Sequence, residues 1–359
     1  MLSPLSFGLE NPSYHLSRRK PSSPSKESMP TAYPVLTAQN ACPKARWWEI
    51  RQYLNLKFIY PGASKKHVPC GTLEEVKQHP DQYLTDIFDF YPNGSAQWIN
   101  RKKEALPDML KRGLQEQKVI SESGIEHPVW FVPPQPAKPT LVIASGNGGT
   151  RSLGDILDYK PYAEKGYGLA TFEYPGYGIT PGTPTSKSTK DAFKAVSHLL
   201  AHRQNIPIQD QIPLAISMGT PIATENVAKE AEKGNHYRAL ILQTPITSMQ
   251  DAAKNMVNFW AKEWGSLAFL KHLVPTWLVH CYSTISHIGK IKSPVFFLAA
   301  TDDFLAPPKE VAELQSRAMQ SPMTRLEVVE GGHRIDKHVS QKSILGFLEE
   351  LERHHLPRI

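Results

Sequence analysis

The sequence predicts an α/β fold, a mainly parallel sheet covered by helices on both faces. Three observations predict it. From about residue 125 onward, short apolar runs alternate with stretches of helical periodicity. Runs such as PTLVIAS and PVFFLAA lack the in–out alternation of a half-solvated strand, so they read as strands buried on both faces. Ser217, Asp303 and His333 each follow such a run closely, at the end of a parallel sheet where ligands bind.

The expected strands are HPVWFVPP, PTLVIAS, YGLATFEY, PLAIS, RALILQ, PVFFLAA and RLEVVE, in that order. Helical stretches fall between them at 159–165, 189–202, 220–233, 309–319 and 340–353; Ala192, Val196 and Leu199 show the helical spacing in the second. This gives an α/β domain over residues 123–359. One long connection, between Gln243 and Ile291, is rich in Trp and Phe and reads as a helical cap at about 245–290, because so long a link inside a compact domain is usually structured. Residues 46–122 read as a helical N-terminal extension. They hold the amphipathic stretches WWEIRQYLNLKFIY and SAQWINRKKEALPDMLKRGLQEQKV, the second interrupted by Pro107. Residues 1–45, rich in Ser and Pro and poor in apolar periodicity, predict a disordered tail; a targeting or secretion signal is the rival reading.

The chemistry centres on PLAISMGTP. A strand runs into Ser217, Gly219 follows two residues later, and a helix starts at once. Such a strand-to-helix turn lifts a serine hydroxyl above the sheet as a nucleophile. In SGNGGT, Gly146, Gly148 and Gly149 allow a loop with exposed backbone N–H groups, and the N–H groups of Asn147 and Met218 are the candidate donors to an oxyanion. A phosphate loop is excluded, since Gly149-Thr150-Arg151 lacks the Gly-Lys-Ser/Thr ending. TDDFLAPP places Asp302 and Asp303 past a strand end. Asp303 is the candidate to orient a histidine and Asp302 the alternative, with either able to cap the helix near Pro307. GGHRID places His333 on a late loop. Among 14 histidines its position after the serine and the aspartate, in that order, singles it out as general base.

These segments resemble the α/β-hydrolase superfamily over roughly residues 125–355. The resemblance rests on SGNGG, AISMG, TDDFLAP and GGH, and on EYPGYGITPGTPT, similar to the family's Pro-Gly-Tyr-Gly loop. TPITSMQDA looks like the lead-in to a cap and IGKIKSPVFFLAATDD like the way out of it. The branch it resembles holds acyl-protein thioesterase-like and dipeptidyl-peptidase-like serine hydrolases. Matching by position, the family's acid stands three residues after a strand-end glycine; Ala300 occupies that place, which implies Asp303. The resemblance thus implies a triad of Ser217, Asp303 and His333 acting through an acyl-enzyme on a carboxylic ester or thioester, with no metal or cofactor. A peptidase, or a dead hydrolase fold used as a scaffold, are the alternatives. A dehalogenase would need Asp where Ser217 stands. Three positions depart from the pattern: Ser145 for His, and Ala215 and Thr220 for Gly.

Composition narrows the remaining classes. The net charge of +7, from 41 basic against 34 acidic residues, comes without a Lys/Arg block or nucleic-acid motif, so nucleic acid is not an expected partner. The expected partner is a small-molecule or lipid-like acyl substrate, and an amphipathic cap can also make a peripheral membrane contact. Cys42, Cys70 and Cys281 fit neither a disulfide framework nor a zinc site. With no long apolar span and no secretory signal pattern, the expectation is a cytoplasmic protein, or one exported by a non-classical route through its tail. Nothing in the sequence sets the oligomeric state.

Overall fold

An apolar run too short for a helix buries both its faces only as an inner strand of a covered sheet. The computed structural model describes residues 72–79, 95–147, 152–264 and 281–354. The expected tail, the WWEIRQYLNLKFIY stretch, Gly148 and Gly149 of the glycine-rich turn, and the middle of the expected cap (265–280) lie outside the described residues. In chain order the elements are α1 (Leu73–Gln78), α2 (Ser95–Lys111), β1 (Gln115–Ile120), β2 (Glu126–Val132), β3 (Thr140–Ala144), α3 (Ser152–Asp158), α4 (Lys160–Glu164), β4 (Gly168–Phe172) and α5 (Ser186–Arg203). Then follow β5 (Gln211–Ile216), α6 (Gly219–Glu232), β6 (Leu240–Gln243), α7 (Met249–Trp264), β7 (Val295–Ala300), α8 (Pro308–Arg317), β8 (Thr324–Val329) and α9 (Lys337–Arg353).

The strands form one eight-stranded sheet in the order β1-β2-β4-β3-β5-β6-β7-β8. β2 pairs antiparallel with β1 and β4, and every pairing from β4 across to β8 is parallel. The period-2 alternation splits each inner strand between two cores. Leu141 and Ile143 of β3 join the core lined by α2, α3, α4 and α9; Val142 and Ala144 join the core lined by α5, α6 and α8. Helices cover both faces, as the apolar runs predict.

Two expectations about the N-terminal part are corrected. The stretch read as helix through Val119 stops at Lys111. Gly113, at φ +87°, donates its N–H to Leu110, and Leu114 donates to Met109, a left-handed helix stop that glycine accommodates without strain. The chain then reverses into β1, an edge strand pairing Gln115 with Phe131 through to Ile120 with Glu126. The sheet therefore begins at Gln115, inside the segment read as an extension. Pro107 does not interrupt α2, which runs through it. Buried Leu106 and Met109 on either side hold that turn in the core, which offsets the lost i→i−4 bond. α1 is tied to the same edge: the Leu73 N–H donates to Glu116 Oε2 of β1 at 2.7 Å.

Candidate active site

Parallel strands put their carboxyl ends on one edge of the sheet, and the candidate residues follow three of them. Ser217 follows β5. Its φ of +51° is a left-handed conformation that costs a non-glycine residue on the order of 1–2 kcal/mol. Surrounding contacts hold it there. The Ser217 N–H donates to the Gln243 carbonyl at 3.0 Å, and its own carbonyl accepts from the Thr220 N–H at 2.9 Å and from Thr220 Oγ1 at 2.6 Å. The Met218 side chain is buried in the core, anchoring the first turn of α6. Gly219 is required by space: a Cβ there would lie 2.0 Å from the Ala144 carbonyl oxygen. Gly146 packs on the other side of the elbow, where a Cβ would meet Ser217 Cβ at 3.3 Å. The 145–147 loop thus rests directly against the Ser217 turn.

His333 reaches the elbow from the loop after β8, with Nε2 2.7 Å from Ser217 Oγ. Its Nδ1 lies 2.9 Å from both oxygens of Asp303. The Asp303 side chain is fully buried, and Oδ1 also accepts the N–H groups of Leu305 and Ala306 at 2.9 Å each. A carboxylate only accepts, so the proton of the imidazole sits on Nδ1 and Nε2 is left to accept from Ser217. Asp302 is exposed and takes Thr301 Oγ1 at 3.2 Å; it makes no contact with His333 but fastens the two loops by donating its N–H to the Gly331 carbonyl at 2.8 Å. Asp336 caps α9 through the N–H groups of His338 and Val339, fixing the chain just beyond His333. The helix after the acid loop, α8, has Pro307 at its N-cap and no side-chain cap, so neither aspartate caps it.

Comparison with known proteins bears on the fold. No family model matches the chain. The chain is 28% identical over 220 residues to the lysophosphatidylserine lipase ABHD12 of Danio rerio, covering 59% of this chain and 54% of that protein, so it spans about half that relative's length. It is 26% identical over 242 residues to the α/β hydrolase domain-containing protein WAV2 of Arabidopsis thaliana, covering 64% of this chain and 77% of that one. Among solved structures, an α/β hydrolase from Vibrio vulnificus superposes with a TM-score of 0.56 at 17% identity, over 79% of this chain and 98% of that one. The Pyrococcus furiosus esterase Pf2001 gives 0.54 at 17% identity, over 69% and 92%. The chain has the α/β-hydrolase fold and is similar in sequence to proteins of that kind.

Within this fold, the start of the expected cap is α7, packed beside the acid loop. Asn255 Nδ2 donates to the Leu305 carbonyl at 3.3 Å and to Glu310 Oε1 at 2.8 Å. The Phe259 ring stacks on Phe304, the residue after Asp303, with centroids 4.3 Å apart. Glu310 is half-buried between these elements, and burial raises its carboxyl above the ordinary carboxylate range. Among the described residues no cluster of His, Cys, Asp and Glu gathers to hold a metal ion, and no helix is long and apolar enough to cross a membrane.

Sequence reasoning gave no role to two tyrosines beneath the 145–147 loop. Tyr177 donates its hydroxyl to Asn147 Oδ1 at 2.6 Å, and Tyr174 donates to the Ser145 carbonyl at 3.1 Å. Both rings are buried, and burial pushes both phenols well above their ordinary pKa, so they remain donors. The signal for them was EYPGYG, visible as a landmark but silent about its contacts.

Proposed function

We propose that this α/β-hydrolase cleaves a carboxylic ester or thioester of a lipid-like acyl group through an acyl-enzyme on Ser217. One observation carries the reading: an unbroken hydrogen-bonded line from Ser217 Oγ through His333 to a buried Asp303, starting on a strained elbow. Ser217 Oγ attacks the acyl carbonyl as His333 Nε2 takes its proton. Asp303 holds the resulting imidazolium, and the N–H groups of Asn147 and Met218 receive the oxyanion at the start of α6, where the helix dipole favours negative charge. His333 then protonates the departing alcohol or thiol. Water, deprotonated by the same nitrogen, attacks the acyl-serine and releases the acid.

The lipid-like part of the reading has two supports. The ABHD12 relative is named a lysophosphatidylserine lipase. The stacked Phe259–Phe304 pair, with Phe259 38% exposed, offers an apolar surface beside the acid loop. A peptide substrate would use the same triad and has no such support. The substrate reaching such a surface comes from an aggregate or a bilayer, so peripheral contact with membrane belongs to the proposal.

The test is fluorophosphonate labelling and hydrolysis of p-nitrophenyl esters of graded chain length, beside lysophospholipid and a peptide anilide. Wild type should label and prefer the longer acyl esters. Ser217→Ala should lose labelling and lose kcat by on the order of 10⁵-fold or more, with its thermal midpoint nearly unchanged. A folded wild type that neither labels nor turns over any of them would leave a scaffold role in place of an enzyme.

A further inference from the structure

The oxyanion reading raises a physical problem. A donor peptide stabilises a transition state only if its N–H is already aimed, and this loop is built from glycines, which prefer no one conformation. Gly146 lies against the elbow, but its lack of a side chain fixes only one of its faces. The hydroxyls of Tyr174 and Tyr177 supply the missing constraint. One holds the carbonyl of Ser145 and the other the side chain of Asn147, so they bracket the Gly146 peptides from both ends.

The tyrosines are themselves held. Their loop closes on itself through Tyr177 N–H to the Tyr174 carbonyl at 3.0 Å, Thr180 N–H to the Tyr177 carbonyl at 2.9 Å and Gly176 N–H to the Thr180 carbonyl at 3.1 Å. The buried Glu173 carboxylate accepts the Ile179 N–H at 2.8 Å, and it occupies the space a side chain on Gly178 would need: a Cβ there would lie 2.1 Å from Oε1. The rings stand edge to face, Phe172 on Tyr174 at 5.3 Å and Tyr174 on Tyr177 at 5.8 Å. A buried, packed phenol has few other places to put its hydroxyl.

We infer that Tyr177 is a positioning residue, setting the Asn147 N–H in the geometry the oxyanion needs by holding the Asn147 side chain, with Tyr174 bracing the loop from the Ser145 side. The inference rests on the proposed function. Its signature is a loss in kcat and not in KM, since substrate in the ground state carries no oxyanion.

The experiment compares Tyr177→Phe, Asn147→Ala and the double variant by kcat and KM on one p-nitrophenyl ester, and by the rate of fluorophosphonate labelling. Tyr177→Phe removes one oxygen and keeps the ring. Asn147→Ala breaks the same bond from the other side and keeps the backbone N–H, so it carries the test if the phenylalanine variant does not fold. Each single change should lower kcat roughly 10–30-fold, below the ~10²–10³ for deleting an oxyanion donor outright, with KM within about twofold. The double variant should be no slower than the worse single variant, because both delete one contact. A folded Tyr177→Phe protein with wild-type kcat, losses that multiply in the double variant, or an Asn147→Ala protein with wild-type kcat would each overturn the inference. An active wild type with an inactive Ser217→Ala control would show that the hydrolase reading survives such a result. A wild type without turnover or labelling would remove both.

Discussion

Replacing Asp303 by Asn tests the candidate triad at its most buried point. The carboxylate receives three donors: His333 Nδ1–H, and the N–H groups of Leu305 and Ala306, both on Oδ1. An Asn side chain offers one acceptor oxygen and an NH₂ group. Placed with its oxygen toward Leu305 and Ala306, it keeps two bonds and turns the NH₂ toward His333. Flipped, it would set the NH₂ against two backbone donors. The first arrangement keeps two of the original bonds where the flipped one keeps one, and its NH₂ adds a third bond when Nδ1 becomes the acceptor. The imidazole proton then moves to Nε2, which can no longer take the proton of Ser217. A wrong tautomer of this kind costs a serine–histidine pair about 10⁴ in kcat, equivalent to roughly 5.5 kcal/mol of transition-state stabilisation. The assay is steady-state hydrolysis of a p-nitrophenyl ester with parallel fluorophosphonate labelling. KM should stay close to wild type, and the two retained backbone bonds should keep the thermal midpoint within a few degrees. Asp302→Asn is the control and should be within about twofold of wild type, because that carboxylate is exposed and touches only Thr301 Oγ1. An Asp303→Asn enzyme within tenfold of wild type would refute the tautomer argument, and with it the place of Asp303 in the line.

Other consequences are open to measurement. Gly219→Ala should destabilise by about 3 kcal/mol or more in urea unfolding, because its Cβ would meet immovable backbone at Ala144; an ordinary helical site would instead gain about 1 kcal/mol from the change, so the sign decides. Lys102 is fully buried on α2, 3.3 Å from Asp158, and burial lowers its pKa from 10.5 to about 8. Between those values the unfolded chain binds the extra proton, so stability rises with pH across that window, and below pH 8 a penalty on the order of 3 kcal/mol is in full force. Lys102→Met should therefore raise the thermal midpoint at pH 7, with Asp158 still paired to Lys337 at 2.6 Å, and the gain should shrink toward pH 10; a less stable variant at pH 7 contradicts the argument. Glu310 has the opposite linkage: its folded pKa is raised by burial, so the stability it contributes is complete below its unfolded value and is lost as pH rises through the folded one. Glu310→Gln should be more stable than wild type at pH 7 and indistinguishable near pH 4, which thermal melts at the two pH values would check.

How much of this the sequence discloses depends on where the information is stored. The inner strands β3, β5, β6 and β7 are legible because each must be apolar on both faces, a local property of the sequence. β1 is not, because an edge strand is constrained on one side only: Gln115, Gln117 and Lys118 satisfy it as well as they would satisfy a helix. The stop at Gly113 was the available clue. In the site, Ser217, Asp303 and His333 are legible because each follows a strand end, and parallel strands bring those ends together without further instruction. The contact of Tyr177 with Asn147 joins loops 30 residues apart. It depends on how two irregular segments pack, which no periodicity encodes. The aromatic residues of the expected cap announce themselves in the sequence, yet only the Phe259–Phe304 stack and the Asn255–Leu305 hydrogen bond reveal that its first helix leans on the acid loop.

Two of the three departures from the family pattern are explained by the same packing. The elbow pattern has a glycine on each side of the serine, but the two positions answer to different constraints. At 219 the constraint is absolute, since a Cβ would enter the carbonyl of Ala144. At 215 the residue is still inside β5, paired with Ala144 on one side and Leu242 on the other, with its methyl in the core beside Met218. Alanine on β3 and alanine on β5 are partners in register, and small residues on both strands leave room for the methyl. At 220 the threonine is fully buried and its hydroxyl donates to the Ser217 carbonyl, an added bond that glycine could not make and that helps hold φ at +51°. Ser145 stands where a histidine is common; Tyr174 holds its backbone carbonyl, which any residue would offer, and nothing in the structure explains the serine itself. Thr220 thus adds a way of fixing the turn, and Ala215 is accommodated without disturbing it. The strained backbone at Ser217 and the close approach at Gly219, which place the hydroxyl within reach of His333, are kept with all three in place.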